Sequence, residues 1–135
     1  MQSYYDVAIV TLLTCLACFG MAAQVARTRS KLGIFAPVMT GDAVLERTIR
    51  AHLNTVEWMP IFLPSLWLFA IYWSSLGAAV LGLVWIVGRI VYFVGYVASP
   101  GKRYPGFFIQ SIAVFALLLG ALGRIIYLAA TNGLS

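Results

Sequence analysis

Charge is scarce in this chain. Of its 135 residues only 10% are charged, where a soluble domain carries about 25%. A soluble chain this short has too much surface for its volume to hide the apolar side chains that make up 62% of it. That excludes a water-soluble globule and leaves the bilayer as solvent. Cysteine is scarce as well. Cys15 and Cys18 both fall in the first apolar run, which excludes a disulfide framework and a zinc-type cluster, so no metal is expected. Their spacing imitates a redox Cys-x-x-Cys, but that motif needs a soluble, electropositive setting. Two small side chains one helical turn apart, in lipid or at a helix contact, are the simpler reading. The lone histidine, His52, is poor support for a bis-histidine haem anchor. No internal repeat or low-complexity tract divides the chain, so a single domain over residues 1–135 is expected. Only Met1, Gln2 and Ser3 precede the first apolar run, with no basic segment, and a cleavable signal peptide is not expected.

What remains is apolar and organised. Four stretches, about residues 4–26, 45–73, 77–98 and 106–130, are long enough to cross a hydrocarbon core of about 30 Å. Lipid offers backbone groups no partner, so each is predicted to be a helix. The expected fold class is an all-α membrane protein, a bundle of four transmembrane helices. The second connection, Ser74-Ser75-Leu76-Gly77, is short and makes the second and third helices an antiparallel hairpin. The first connection carries Arg27, Arg29 and Lys31, and the third carries Lys102 and Arg103 within turn-forming residues.

The net charge is +5. A nucleic-acid partner would need a solvated cationic face. Here the cations sit at the ends of apolar runs, so no nucleic acid is expected. By the positive-inside rule the first and third connections lie in the cytoplasm and both termini on the opposite side. Tyr4, Tyr5, Tyr72, Trp73 and Tyr127 fall on the neutral side, as an interfacial aromatic belt would.

The chemistry is concentrated at the start of the second helix. At about 100° per residue, Arg47, Arg50, Asn54 and Glu57 fall within roughly 80° of one another and form a polar stripe entering the membrane. Lipid phosphates account for Arg47 and for Arg50. They do not account for Glu57, because an acid gains nothing at an anionic headgroup and is costly deeper in. On the third helix Arg89, Tyr92 and Tyr96 share one face. Arg89 lies about 15 Å from the loop along the axis and needs a buried acceptor. Glu57 is the acid placed to approach it, so an interhelical ion pair is expected; the alternative is that Arg89 only holds the bundle together. Arg103 waits in the loop. Several arginines, an asparagine, one acid and two phenols suit a small zwitterion with more than one carboxylate, the arginines taking carboxylates and the acid an ammonium.

The string Glu46-Arg47-x-x-Arg50-Ala51-His52-x-Asn54-x-x-Glu57-x-x-Pro60, followed by Arg89-x-x-Tyr92-x-x-x-Tyr96 and then Arg103, resembles the MAPEG family, the membrane-associated proteins in eicosanoid and glutathione metabolism. The resemblance implies a homotrimer with glutathione, as co-substrate, bound between subunits. It implies that Arg50, Asn54 and Glu57 hold the charged groups of the peptide and that Tyr92 and Tyr96 line the same site. Arg47 and His52 join that candidate set, although His52 lies roughly 140° from Arg47 on the helical wheel. It would reach a neighbouring subunit's site or sit at a headgroup or interface. Arg27 or Arg29 matches a basic residue donated by the neighbour. Arg103 matches the arginine that activates the thiol in the leukotriene C4 synthase branch. Trp58 stands where that branch has a tyrosine.

A thiol near pKa 8.5 is mostly protonated at neutral pH, and a guanidinium close to the sulfur favours the thiolate. The function the resemblance implies is a membrane-bound glutathione transferase. It would conjugate hydrophobic electrophiles and reduce lipid hydroperoxides, with membrane lipid as surroundings. An eicosanoid synthase of the same family, a non-enzymatic lipid-binding relative and a small multidrug transporter built on Glu57 are the alternatives.

Overall fold

The computed structural model of the chain describes residues 2–134. It contains four helices in sequence: α1 (Tyr5–Leu32), α2 (Ala43–Tyr72), α3 (Ser75–Ala98) and α4 (Tyr104–Asn132), with a 3-10 turn at Pro100–Arg103 before α4. Among the described residues there is no strand. Each helix is long and apolar enough to cross a membrane.

The helix ends have local causes. Helix α1 runs six residues beyond the predicted end of its apolar stretch. Hydrophobicity fades after residue 26, but nothing there opposes helix, and Arg29 and Lys31 suit the negative end of the dipole. The stop comes at Gly33, at φ 69°, where the backbone turns left-handed. Helix α2 starts at Asp42, whose carboxylate accepts from the Leu45 amide at 3.0 Å, and α3 starts at Ser74, whose hydroxyl accepts from the Gly77 amide at 2.9 Å. Only Trp73 and Ser74 separate α2 from α3.

Helices α2 and α3 form the centre, and each packs against the other three, with α1 and α4 on their flanks. Phe62 of α2 stacks flat on Trp85 of α3, ring centroids 3.9 Å apart, in the middle of the apolar core. At the hairpin end Ser75 donates to the Asp6 carboxylate, and the Trp67 indole donates to the Thr11 hydroxyl at 3.0 Å. Arg124 reaches the terminal carbonyl of α2 at Tyr72, 3.4 Å away, and lies against the Tyr127 ring. A cation there offsets the partial negative charge of the helix end. The outward faces stay apolar: Leu12, Leu16 and Phe19 on α1, Val80, Val87 and Val94 on α3, Phe108 and Leu119 on α4 are all exposed. Lipid tails are the solvent such faces match.

The contact of α3 with α4 is a backbone contact. A Cβ placed on Gly106 would lie 2.1 Å from the Tyr92 nitrogen and 2.6 Å from the Gly88 carbonyl oxygen. Those atoms are main chain and cannot swing aside. Gly106→Ala is therefore expected to cost at least about 3 kcal/mol, the upper end for an overpacked core. Gly101→Ala, where nothing lies within 4 Å, serves as the control and should stay within about 0.5 kcal/mol of wild type. Thermal unfolding of both in one detergent decides the matter; equal midpoints would mean that α4 can slide without loss.

Candidate functional site

At the end of the bundle opposite the short hairpin, a cavity of about 320 Å³ opens between α2, α3 and the start of α4. Arg50 and Asn54 of α2, Tyr92 and Tyr96 of α3, and Arg103, Tyr104 and Phe107 line it. Helical periodicity puts Arg50 and Asn54 on one face, and Tyr92 and Tyr96 on another. Gly106, by letting α4 touch the backbone at Tyr92, brings the turn carrying Arg103 over the same opening. A volume of this size falls at the lower end of small-molecule sites.

Under the cavity lies Arg89, 1% exposed. Its Nη2 donates to the Asn54 carbonyl oxygen at 2.9 Å and to the Thr55 hydroxyl at 2.8 Å, and its Nε donates to Thr55 at 3.3 Å. The Tyr92 ring covers the guanidinium, 4.1 Å from its carbon to the ring centroid. The expected ion pair of Arg89 with Glu57 is corrected here. Glu57 is bound instead by Arg50, at 3.0 and 3.4 Å, with both side chains about half exposed (52% and 54%). The reason is angular. Thr55 faces α3, and Glu57 stands two residues on, roughly 200° around the helix. Arg50 lies seven residues back from Glu57, almost in line with it. Arg89 thus ties α2 to α3, as the alternative reading has it, through neutral acceptors.

The other expected members go elsewhere within the chain. Arg47 donates from Nε and Nη2 to the Val97 carbonyl at 3.3 and 3.1 Å, and so closes the end of α3 rather than lining the cavity. Arg29 donates to the carbonyls of Ile34 and Val38 at 3.2 and 2.6 Å and braces its own loop. His52 borders an apolar groove with Cys15, Cys18 and Met59 between α1 and α2, away from the cavity. No group of three or more potential metal ligands assembles among the described residues. A larger cavity, about 750 Å³, lies between the end of α1 and the start of α2, beside Arg27, Lys31 and Asp42. It brings together none of the stripe.

Sequence reasoning missed Thr55, Tyr104 and Phe107. Thr55 follows Asn54 directly and carries the hydroxyl a buried arginine requires, so the need for an acceptor pointed to it. Tyr104 and Phe107 gave no signal, because only the turn conformation sends them to the cavity. Electrically the site is lopsided: Arg50, Arg89 and Arg103 converge, against the one carboxylate of Glu57. Arg103 has no ion pair among the described residues, and its guanidinium lies 5.1 Å from the Tyr96 centroid and 4.8 Å from that of Tyr104. Such a site takes an anionic ligand, with guanidinium forks for carboxylates.

Residues 7–123 match the sequence profile of the MAPEG family. An uncharacterized protein of Synechocystis sp. is 41% identical over 120 residues, covering 89% of this chain and 88% of its own. Human microsomal glutathione S-transferase 2 is 44% identical over 104 residues, covering 76% of this chain and 70% of the relative. Leukotriene C4 synthase of Cavia porcellus is 37% identical over 117 residues, 86% and 78% of the two chains.

Thr55→Val keeps the shape and removes the hydroxyl shared by two Arg89 bonds. Leaving that guanidinium under-satisfied is expected to cost about 1–3 kcal/mol. Thermal unfolding in detergent measures it, and an unchanged midpoint would show that Arg89 does not depend on this acceptor.

Proposed function

This chain belongs to the MAPEG family, and we propose that it is a membrane-bound glutathione transferase whose site is the cavity of Arg50, Asn54, Tyr92, Tyr96 and Arg103. The observation that carries the reading is the convergence of arginines and phenols on one opening that is lined by no carboxylate among the described residues, with Glu57 held beside it in an ion pair to Arg50. Glutathione has two carboxylates, one ammonium and a thiol. Arg50 takes a carboxylate, and Glu57, beside it, takes the ammonium. Asn54 already accepts from Arg89, so its amide N–H₂ remains free to donate to the peptide.

The Arg103 guanidinium stands near the sulfur and lowers the cost of ionising the thiol. The proton leaves to solvent at the mouth of the cavity. The thiolate then attacks an electrophilic carbon of a bilayer-dissolved molecule, forming a thioether as the leaving group departs or a strained ring opens. Against a lipid hydroperoxide it attacks the terminal oxygen. The O–O bond breaks, the lipid leaves as its alcohol, and the resulting sulfenic acid condenses with a second glutathione to the disulfide and water. Phe107 and Trp58, whose rings meet edge to face at 6.0 Å, offer an apolar border for that partner. A second reading, an eicosanoid synthase, is favoured by the likeness to leukotriene C4 synthase. Rates with simple hydrophobic electrophiles against eicosanoid ones discriminate the two.

The assembly we propose is a homotrimer, in which Arg29 and His52 of one copy face the cavity of the next. The half-exposed Arg50 and Glu57 support this, since a neighbour would shield them. We propose that the loops bearing Arg29 and Arg103 face the cytoplasm, with both termini on the opposite side, because the loop cations gather in the first and third connections.

Ultraviolet difference absorbance of the thiolate on adding glutathione to the detergent-purified protein tests the mechanism. Wild type is expected to give a saturable signal. Arg103→Ala is expected to bind glutathione by calorimetry and give none. Arg50→Ala and Glu57→Gln should weaken binding at least about tenfold, the value of one charge-assisted bond. A full thiolate signal in Arg103→Ala would remove Arg103 from its role, and no binding by wild type would sink the glutathione reading.

A further inference from the structure

Arg103 poses a physical difficulty that the proposed chemistry makes acute. It sits in a short turn at the rim of the bundle, and an arginine there has about 2 kcal/mol of rotamer entropy to lose before it can be held beside a sulfur. Buried or functional arginines are usually fixed by a carboxylate. None is available: among the described residues the one salt bridge is that of Arg50 with Glu57. A carboxylate would also be self-defeating, because its negative charge would cancel much of the field that the thiolate needs.

We infer that Tyr104 is a positioning residue, which holds the Arg103 guanidinium by an uncharged phenol and so leaves its full positive charge for the thiol of a bound ligand. The inference rests on the glutathione reading. The Arg103 Nη2 donates to the Tyr104 hydroxyl at 3.1 Å, its only side-chain hydrogen bond among the described residues. The Tyr104 ring lies 4.8 Å from the guanidinium carbon, and the Tyr96 ring from α3 lies 5.1 Å from it. The cation is therefore bordered by two π faces and tethered by one oxygen. Ring quadrupoles attract a guanidinium without carrying net charge.

Tyr104 has no packing role to explain it. It is 60% exposed and belongs to neither apolar core cluster. An aromatic at the membrane interface is the plain alternative. Two facts tell against that as the whole account: the hydroxyl is engaged by Arg103, and the residue lines the cavity. Its place is also well determined, since Tyr104 is the first residue of α4 and Gly106, two residues on, locks that helix start against α3. A rigid backbone under the phenol makes it an effective tether.

The experiment is a pH titration of the thiolate absorbance of bound glutathione in the full-length protein, with affinity followed by calorimetry. Four proteins are compared: wild type, Tyr104→Phe, Tyr104→Leu and Tyr104→Glu. Tyr104→Phe keeps the ring and the interfacial aromatic but loses the acceptor; it is expected to raise the titration midpoint by about half a unit, a threefold loss of thiolate. Tyr104→Leu loses both and should raise it further. Tyr104→Glu restores an acceptor with a charge and is expected to raise it most. In Tyr104→Phe the affinity should stay within about twofold of wild type, since the tether serves the sulfur more than the carboxylates. Wild-type midpoints in Tyr104→Phe and Tyr104→Leu would reduce Tyr104 to an interface aromatic. A wild-type midpoint in Tyr104→Glu alone would overturn the need for a neutral tether. No thiolate in wild type would instead overturn the glutathione reading itself, and this inference with it. Should Tyr104→Leu fail to fold, the near-isosteric Tyr104→Phe still decides.

Discussion

A guanidinium held inside a bundle with apolar outer walls imposes an order on what surrounds it. Arg89 is almost wholly buried, and an unpaired charge there would be strongly destabilising. Its donors therefore need acceptors at fixed positions. Asn54 and Thr55 supply them from the adjacent helix. Meeting that need sets the register and rotation of α2 against α3. Once set, Arg50 stands one turn toward the loops from Asn54, and Tyr92 lies over the guanidinium. The floor and two walls of the cavity follow from one buried cation.

The acceptors chosen have an electrical consequence. An acid against Arg89 would have neutralised it. An amide oxygen and a hydroxyl accept from its Nε and Nη2, while Nη1 is buried without a hydrogen-bond partner among the described residues, and its charge stays in place beneath the site. With Arg50 and Arg103 above, the opening carries an excess positive charge that no single arginine could supply. The one acid nearby, Glu57, is kept on the outer face of α2, where it meets Arg50 rather than the buried cation. Together the arrangement favours a ligand with more negative groups than positive ones, and in low dielectric such a preference is stronger than it would be in water.

Shape comes from the smallest residue. Where α4 crosses α3, Gly106 allows main chain to meet main chain at Tyr92. Side chains at that crossing would hold α4 farther away, and the turn bearing Arg103 would no longer overhang the cavity. The packing contact and the chemical site thus share a residue, Tyr92, whose backbone meets Gly106 and whose side chain lines the cavity.

Much of this protein was legible in its residues. Scarce charge and four apolar runs already required helices that cross a membrane, because backbone in lipid has no other way to satisfy its hydrogen bonds. Period 3.6 was enough to put Arg50, Asn54 and Glu57 on one stripe, and Tyr92 and Tyr96 on another. The motif spacing was specific enough to point to the MAPEG family. What periodicity cannot express is the rotation and distance of one helix relative to the next. Only the tertiary structure sent Arg47 to the Val97 carbonyl and Arg29 back to its own loop. It also gave Glu57 to Arg50 rather than to Arg89 and put the Tyr104 phenol on Arg103. The Arg47 pairing turns on a few ångströms of approach between α2 and α3; the others are made close along the chain, where the backbone path and the side-chain conformation, which helical period does not specify, choose the partner.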